Sequence, residues 1–349
     1  VSHPITRELI RRIPKAELHC HLDGSVRATT LLALAAELGV EMPEQTPEAL
    51  EHHMWVKDAR HLEDYLARFA TTLSVMQSAA ALERISYELA EDAAKDGVRY
   101  LEVRYAPVLN VSGGLTLEQA VDAPLAGLTR ASQDHGIATR VIICALRHLD
   151  PEISLDLARL ATQYHGRGVV GFDLAGGEMG HPADAHKQAF LHARDHGVHC
   201  TCHAGEGDGP DSVRRAVYEC GATRIGHGTR LIEDVALTDD LAARGIAIEA
   251  CLTSNVQTRA VRDYASHPLR AYLERGMAVT LNTDNRLMSN TTLVDEYVHA
   301  AAQLHCSFGE LCTLARNGFT SAFLPDAERA ALVARVDAEL AALRDEVAA

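Results

Sequence analysis

The segment Glu17-Leu18-His19-Cys20-His21-Leu22-Asp23-Gly24-Ser25 sets two imidazoles two residues apart inside an apolar run that ends at a glycine turn. In a β-strand that spacing puts both rings on one face. A face that was simply core would carry Val, Ile or Leu at those positions. Two buried imidazoles cost desolvation free energy unless something engages their ring nitrogens. A metal ion would do so, and so would the hydrogen bonds of an ordinary semi-buried pair; the two residues alone fit either description. The choice rests on whether other metal-competent side chains converge on the same place.

Short apolar runs alternate with longer amphipathic ones along the chain. Strands are predicted near 17–21 (ELHCH), 99–104 (RYLEVR), 139–145 (TRVIICA), 168–173 (GVVGFD), 198–202 (VHCTC), 223–226 (TRIG), 246–251 (IAIEAC) and 277–282 (MAVTLN). Helical periodicity fills the gaps: Leu31 to Leu38, His61 to Lys95 with a break near Gln77, Leu117 to His135, Ser154 to Tyr164, Asp184 to His196, Ser212 to Glu219, Ala236 to Arg244 and Pro268 to Arg275. Strand followed by helix, repeated eight-fold, predicts an α/β (β/α)8 barrel with additional helices, a doubly wound open sheet being the alternative. A barrel requires its chemistry at the C-terminal strand ends. His19 and His21 close the first predicted strand, His203 follows the fifth, His227 the sixth and Asp284 the eighth, which brings five metal-competent residues to one face. Most of the other histidines, such as His52, His53, His186, His192, His196 and His299, fall in helical or loop stretches and read as solvated or structural.

Composition excludes several classes of function. The 349 residues are 47% hydrophobic and 23% charged, which suits a folded protein rather than a disordered one. A net charge of -15 argues against nucleic acid or an anionic membrane as partner and favours a neutral or cationic small molecule. No apolar run approaches a membrane span, and the first residues show no basic stretch followed by an apolar one, so a cytoplasmic location is expected. The eight cysteines form no CxxC pair and read as buried reduced thiols. Without repeats or linkers, residues 1–349 read as a single domain.

With those elements in place, the chain resembles the adenosine deaminases of the amidohydrolase superfamily. The resemblance is carried by PKAELHCHLDGS (14–25), YLEVRYAP (100–107), GFDLAGGE (171–178), HAGE (203–206), RIGHG (224–228), CLTSN (251–255) and LNTDN (281–285), in the family's order across nearly the whole chain. It implies a zinc-containing (β/α)8 barrel that hydrolytically removes the 6-amino group of adenosine or 2′-deoxyadenosine. His19, His21, His203 and Asp284 would hold one Zn2+, an N3O set with a position left for water, and zinc lowers the pKa of such water toward about 7. By the same resemblance His227 orients or deprotonates the water that attacks C6. Glu206 would protonate purine N1 and later supply a proton to ammonia, although by itself it also fits a carboxylate near a helix start. Gly176 would contact N3 through its backbone amide and Asp23 would bind the ribose 5′-hydroxyl. Leu62, Tyr65, Leu66 and Phe69 would cover the nucleoside, with His21 also against it.

One departure concerns substrate. Where many family members carry two successive aspartates, this chain has Asp284-Asn285. The second residue meets purine N7, an acceptor, and an Asn amide donates in its ordinary state. Purine binding survives, but a 5′-modified adenosine such as aminodeoxyfutalosine remains an alternative substrate. A non-catalytic nucleoside-binding barrel is the alternative from another class; it would be signalled by loss of Glu206 or a metal ligand, and all are present. A His/Cys/Cys nucleic-acid deaminase would need a Pro-Cys-x-x-Cys segment, which the sequence lacks.

Overall fold

A computed structural model describes residues 5–57 and 62–348. Eight strands, β1 (Lys15–His21), β2 (Val98–Tyr105), β3 (Ala138–Leu146), β4 (Val169–Ala175), β5 (His199–Ala204), β6 (Arg224–His227), β7 (Ala247–Ala250) and β8 (Ala278–Leu281), pair in parallel in sequence order. Strands such as β1 and β4 are buried along their whole length because helices cover the outside and side chains fill the inside, which is why they read as apolar runs rather than alternating ones. The seam between first and last strands is closed by the residue three beyond β8: the His21 N–H donates to the Asp284 carbonyl at 2.7 Å, and the Asp284 N–H donates to the His19 carbonyl at 3.0 Å. The architecture is therefore the (β/α)8 barrel, and the open-sheet alternative falls away.

Boundaries depart from the sequence reading where polar residues continue an element. His203 and His227 lie within β5 and at the end of β6 rather than after them, since strand pairing runs on through Ala204↔His227. The segment 62–95 holds three helices, Leu62–Leu66, Phe69–Leu73 and Ala79–Lys95, so it breaks twice; His61, its expected start, lies outside the described residues. The break near Gln77 is real: that side chain donates to the carbonyls of Leu73 and Leu109, and Ser78 caps the third helix by accepting from the Ala81 N–H. The additional helices include Leu252–Gln257 and Leu293–Gln303 near the site and Asp326–Ala348 at the end of the chain. All eight cysteines are buried and unpaired. Among the described residues, no helix is long and apolar enough to cross a membrane.

The barrel interior holds charge as well as hydrocarbon. Arg224 donates through Nη2 to Glu102 at 2.5 Å and through Nε to Glu249 at 2.7 Å, while its guanidinium stacks 3.5 Å from the Phe323 ring centre. Arg224→Leu removes one cationic partner from each of two buried carboxylates. It is expected to lower stability by roughly 3–5 kcal/mol, read as a lower urea midpoint; a change under about 1 kcal/mol would show that the carboxylates find other partners.

Glu296, on Leu293–Gln303, is fully buried and accepts from the Thr253 N–H and the Thr291 hydroxyl, and burial pushes its pKa up to about 7. A carboxyl whose folded pKa exceeds its unfolded value binds more protons when native. Its contribution is therefore complete below the unfolded pKa and is lost as pH rises through about 7. Urea titrations at successive pH values should show a loss approaching about 1.4 kcal/mol per pH unit between those two values, absent in Glu296→Gln.

Candidate active site

At the C-terminal end of the barrel, ligand atoms from His19, His21, His203 and Asp284 all lie within 4.8 Å of one another. The Nε2 atoms of His19 and His21 are each 3.3 Å from Asp284 Oδ1, and His21 Nε2 lies 3.2 Å from His203 Nε2. Strand β1 delivers its two rings by the period-2 spacing, and β5 delivers His203 from across the barrel. Asp284 reaches inward because its backbone is left-handed, at φ 61°, as is that of His227 at φ 65°. Non-glycine residues adopt that region at a cost, and such residues cluster where function demands a particular aim.

The far sides of the rings fix their tautomers. His19 Nδ1 faces Glu249 Oε2 at 2.9 Å and His203 Nδ1 faces Asp173 Oδ2 at 3.0 Å. A carboxylate can only accept, so each Nδ1 carries the proton and each Nε2 turns a lone pair toward the cluster. His19 Nε2 is buried without a hydrogen-bond partner among the described residues. Burial pulls His19 down to about 4 and His21 well below its ordinary value, so both rings are neutral. Burial opposes ionisation of Asp284, but the imidazoles of His19 and His21 beside it hold its carboxyl well below the usual range. The Ser254 hydroxyl donates to Asp284 Oδ2 at 2.6 Å. Three imidazoles, one carboxylate and an orphaned buried nitrogen fit a divalent cation of the zinc type.

Above this cluster opens a cavity of about 340 Å³. It is lined by His21, Asp23, Leu62, Tyr65, Leu66, Phe69, Gly176, His203, Glu206, His227, Asp284 and Asn285, which is every residue singled out from the sequence except His19, buried alongside His21 and His203. Glu206 is buried, not a surface carboxylate. Its Oε1 accepts from the Thr258 hydroxyl at 2.9 Å and its Oε2 lies 3.5 Å from His227 Nε2. Burial raises its pKa against the opposing pull of His227. Asp23 Oδ1 and Asn285 Oδ1 are likewise buried and, among the described residues, unpartnered, and burial lifts the Asp23 carboxyl to about 7. Gly24 must be glycine, because a Cβ there would fall 1.7 Å from Asn285 Oδ1. Gly176 sits at φ 97°, a conformation that leaves its backbone bare toward the cavity.

The chain is similar to known proteins. The model of the adenosine deaminase family matches residues 14–339. The chain belongs to that family. It is 40% identical over 353 residues to an adenosine deaminase of Mycobacterium sp. (strain JLS), covering 95% of this chain and 96% of that one. It is 42% identical over 321 residues to a probable adenosine deaminase of Dictyostelium discoideum, covering 92% of this chain but only 42% of that longer relative. Among solved structures, a zinc-bound COG1816 amidohydrolase from Burkholderia ambifaria superposes with a TM-score of 0.90 at 27% identity, covering 99% of this chain and 96% of that one.

Several residues of this adenosine deaminase fold that bear on the site were not legible in the sequence. Glu178 accepts from four successive backbone N–H groups, those of Gly205, Glu206, Gly207 and Asp208, at 2.7–3.1 Å, and so holds the loop that carries Glu206. Asp173 and Glu178 stand inside GFDLAGGE, Ser254 inside CLTSN and Arg104 inside YLEVRYAP, so the motifs contained them without revealing a role. His148, Leu109 and Leu146 also line the cavity and carried no signal. Replacing Asp173 by Asn exchanges the carboxylate that fixes His203 for a neutral, weaker acceptor. Metal affinity, measured by chelator competition, should fall about 10–100-fold with the fold retained by circular dichroism. Unchanged affinity would mean that His203 needs no such partner.

Proposed function

We propose that this chain hydrolyses adenosine and 2′-deoxyadenosine at C6, releasing inosine or 2′-deoxyinosine and ammonia, with zinc as the ion held by His19, His21, His203 and Asp284. The observation that carries the reading is a buried Glu206 carboxyl sharing one cavity with a ligand set of N3O type. When bound, the ion supplies a Lewis acid that makes water nucleophilic near neutral pH. Burial raises the pKa of Glu206, which favours the protonated form that can give its proton to N1 and make C6 electrophilic. The carboxylate then takes a proton from the attacking water and delivers it to the departing amine; the C6–N bond breaks as ammonia leaves, and the C6 hydroxyl returns its remaining proton to Glu206 as the carbonyl forms. The apolar side chains of Leu62, Leu66 and Phe69 over the cavity exclude bulk water and supply surface for the flat base. Gly176 would donate its N–H to N3, the Asn285 amide would donate to N7, and Asp23 would accept from the 5′-hydroxyl. A cytoplasmic location belongs to the same proposal and is supported by eight unpaired thiols.

A 5′-modified adenosine such as aminodeoxyfutalosine would use the same groups at C6, and Asn285 is the residue that keeps this second reading in view. Comparison of kcat/KM for adenosine, 2′-deoxyadenosine, adenine and aminodeoxyfutalosine, followed by the loss of adenine absorbance, separates them. Glu206→Gln should retain the ion by metal analysis while kcat falls by at least about 10²–10⁴-fold. Near-normal turnover of that variant would remove Glu206 from its role.

A further inference from the structure

His227 faces the cavity with one nitrogen and a hydrogen-bonded chain of buried residues with the other. The chain begins at a group whose polarity is fixed. The Leu269 backbone N–H, at the start of the helix Leu269–Glu274, approaches His267 Nδ1 at 3.1 Å. An amide N–H can only donate, so His267 Nδ1 accepts and the proton of this neutral ring sits on Nε2. Burial, with the nearby His227, pulls the pKa of His267 down to about 3, which keeps it neutral. His267 Nε2 then donates to Asn255 Oδ1 at 3.2 Å. That contact settles the orientation of the Asn255 amide, since turning it over would set its NH2 against an N–H. The amide nitrogen of Asn255 lies 2.9 Å from His227 Nδ1 and has only protons to offer, so Nδ1 is an acceptor.

We infer that Asn255 and His267 are positioning residues that lock His227 as the neutral Nε2–H tautomer, so that it directs the reacting water as a hydrogen-bond donor and takes no proton from it. The Nε2 proton is turned to the side where Glu206 Oε2 lies 3.5 Å away. His227 has no lone pair on that face, and its remaining lone pair, on Nδ1, is held by Asn255 on the other. The proton that the water sheds therefore passes to Glu206 directly, without a stop on His227. The positive φ of His227 fits this arrangement, because both nitrogens must be aimed at once. The catalytic consequence rests on the deaminase reading proposed above; the tautomer itself does not.

The test is nitrogen NMR of the full chain labelled with ¹⁵N-histidine, the His227 signals being identified by their loss in His227→Gln. The expected spectrum has a protonated Nε2 and an unprotonated Nδ1. Asn255→Asp puts a carboxylate, which only accepts, against both rings, and should turn His227 to the Nδ1–H form. With bound metal unchanged, kcat should then fall on the order of 10²–10⁴-fold with little change in KM, and an acid limb should enter the pH profile. An Nδ1–H or doubly protonated His227 in the unmodified protein overturns the inference even if the variant fails to fold. So does an Asn255→Asp protein with near-normal turnover. If the unmodified protein shows the Nε2–H form but turns over no purine nucleoside, the deaminase reading fails and the tautomer assignment stands.

Discussion

The site depends on one interaction, the fork of Arg104 between two carboxylates. Its Nη1 meets Asp173 Oδ2 at 2.9 Å and its Nη2 meets Glu249 Oε2 at 2.8 Å, all three side chains being fully buried. Burial alone would push both acids toward neutrality. Arg104, with Arg224 at Glu249 and His203 at Asp173, reverses this and holds both carboxyls far below their ordinary range. Ionised, Asp173 and Glu249 must accept, and what they accept are the Nδ1 protons of His203 and His19. One guanidinium thus sets the direction of two imidazole lone pairs. Desolvating so many charges is a poor way to gain stability, and replacing a buried ion pair by hydrocarbon is often neutral or stabilising. The arrangement makes sense as a means of pre-orienting ligands, in which the cost of burial is borne in the free protein rather than when a metal arrives.

The same economy links the site to the closure of the barrel. β1 and the segment after β8 are joined through the backbones of His19, His21 and Asp284, three of the four ligand residues. Strands of a barrel must stagger to close, and the last register here is completed by Asp284 in a left-handed conformation rather than by β8 itself. A shift of one residue at that seam would turn ligand side chains away from the centre. Closure of the fold and convergence of the ligands are therefore one geometric condition.

This explains what the sequence could disclose. His19 and His21 were legible because both come from one strand, where spacing determines the face. His203, His227 and Asp284 were legible once eight strand–helix units implied a barrel, because strand ends in a barrel share one mouth. The partners that fix them were not. Arg104 lies 69 residues from Asp173 and 145 from Glu249, and no local pattern distinguishes an arginine paired across a barrel from one that faces solvent. Asn255 and His267 were hidden for the same reason: a buried amide announces nothing until its neighbours are known. The strand ends at His203 and His227 were drawn short because polar residues look like loop, although in a barrel they are the last inward-facing positions.

Glu206 and Asp284 show how far such surroundings decide chemistry. Both are buried carboxyls lining one cavity, and desolvation acts on each in the same sense. Asp284 has His19 and His21 within 3.3 Å and is drawn down into its ionised form, suited to a ligand. Glu206 has the neutral Thr258 hydroxyl and one imidazole at 3.5 Å against it, and burial prevails, raising its pKa in the direction an acid needs. If His227 carried a second proton, its charge would stabilise the Glu206 carboxylate and work against that acid. The chain of donors from Leu269 through His267 and Asn255 occupies the Nδ1 lone pair of His227, so residues that never touch Glu206 bear on its proton.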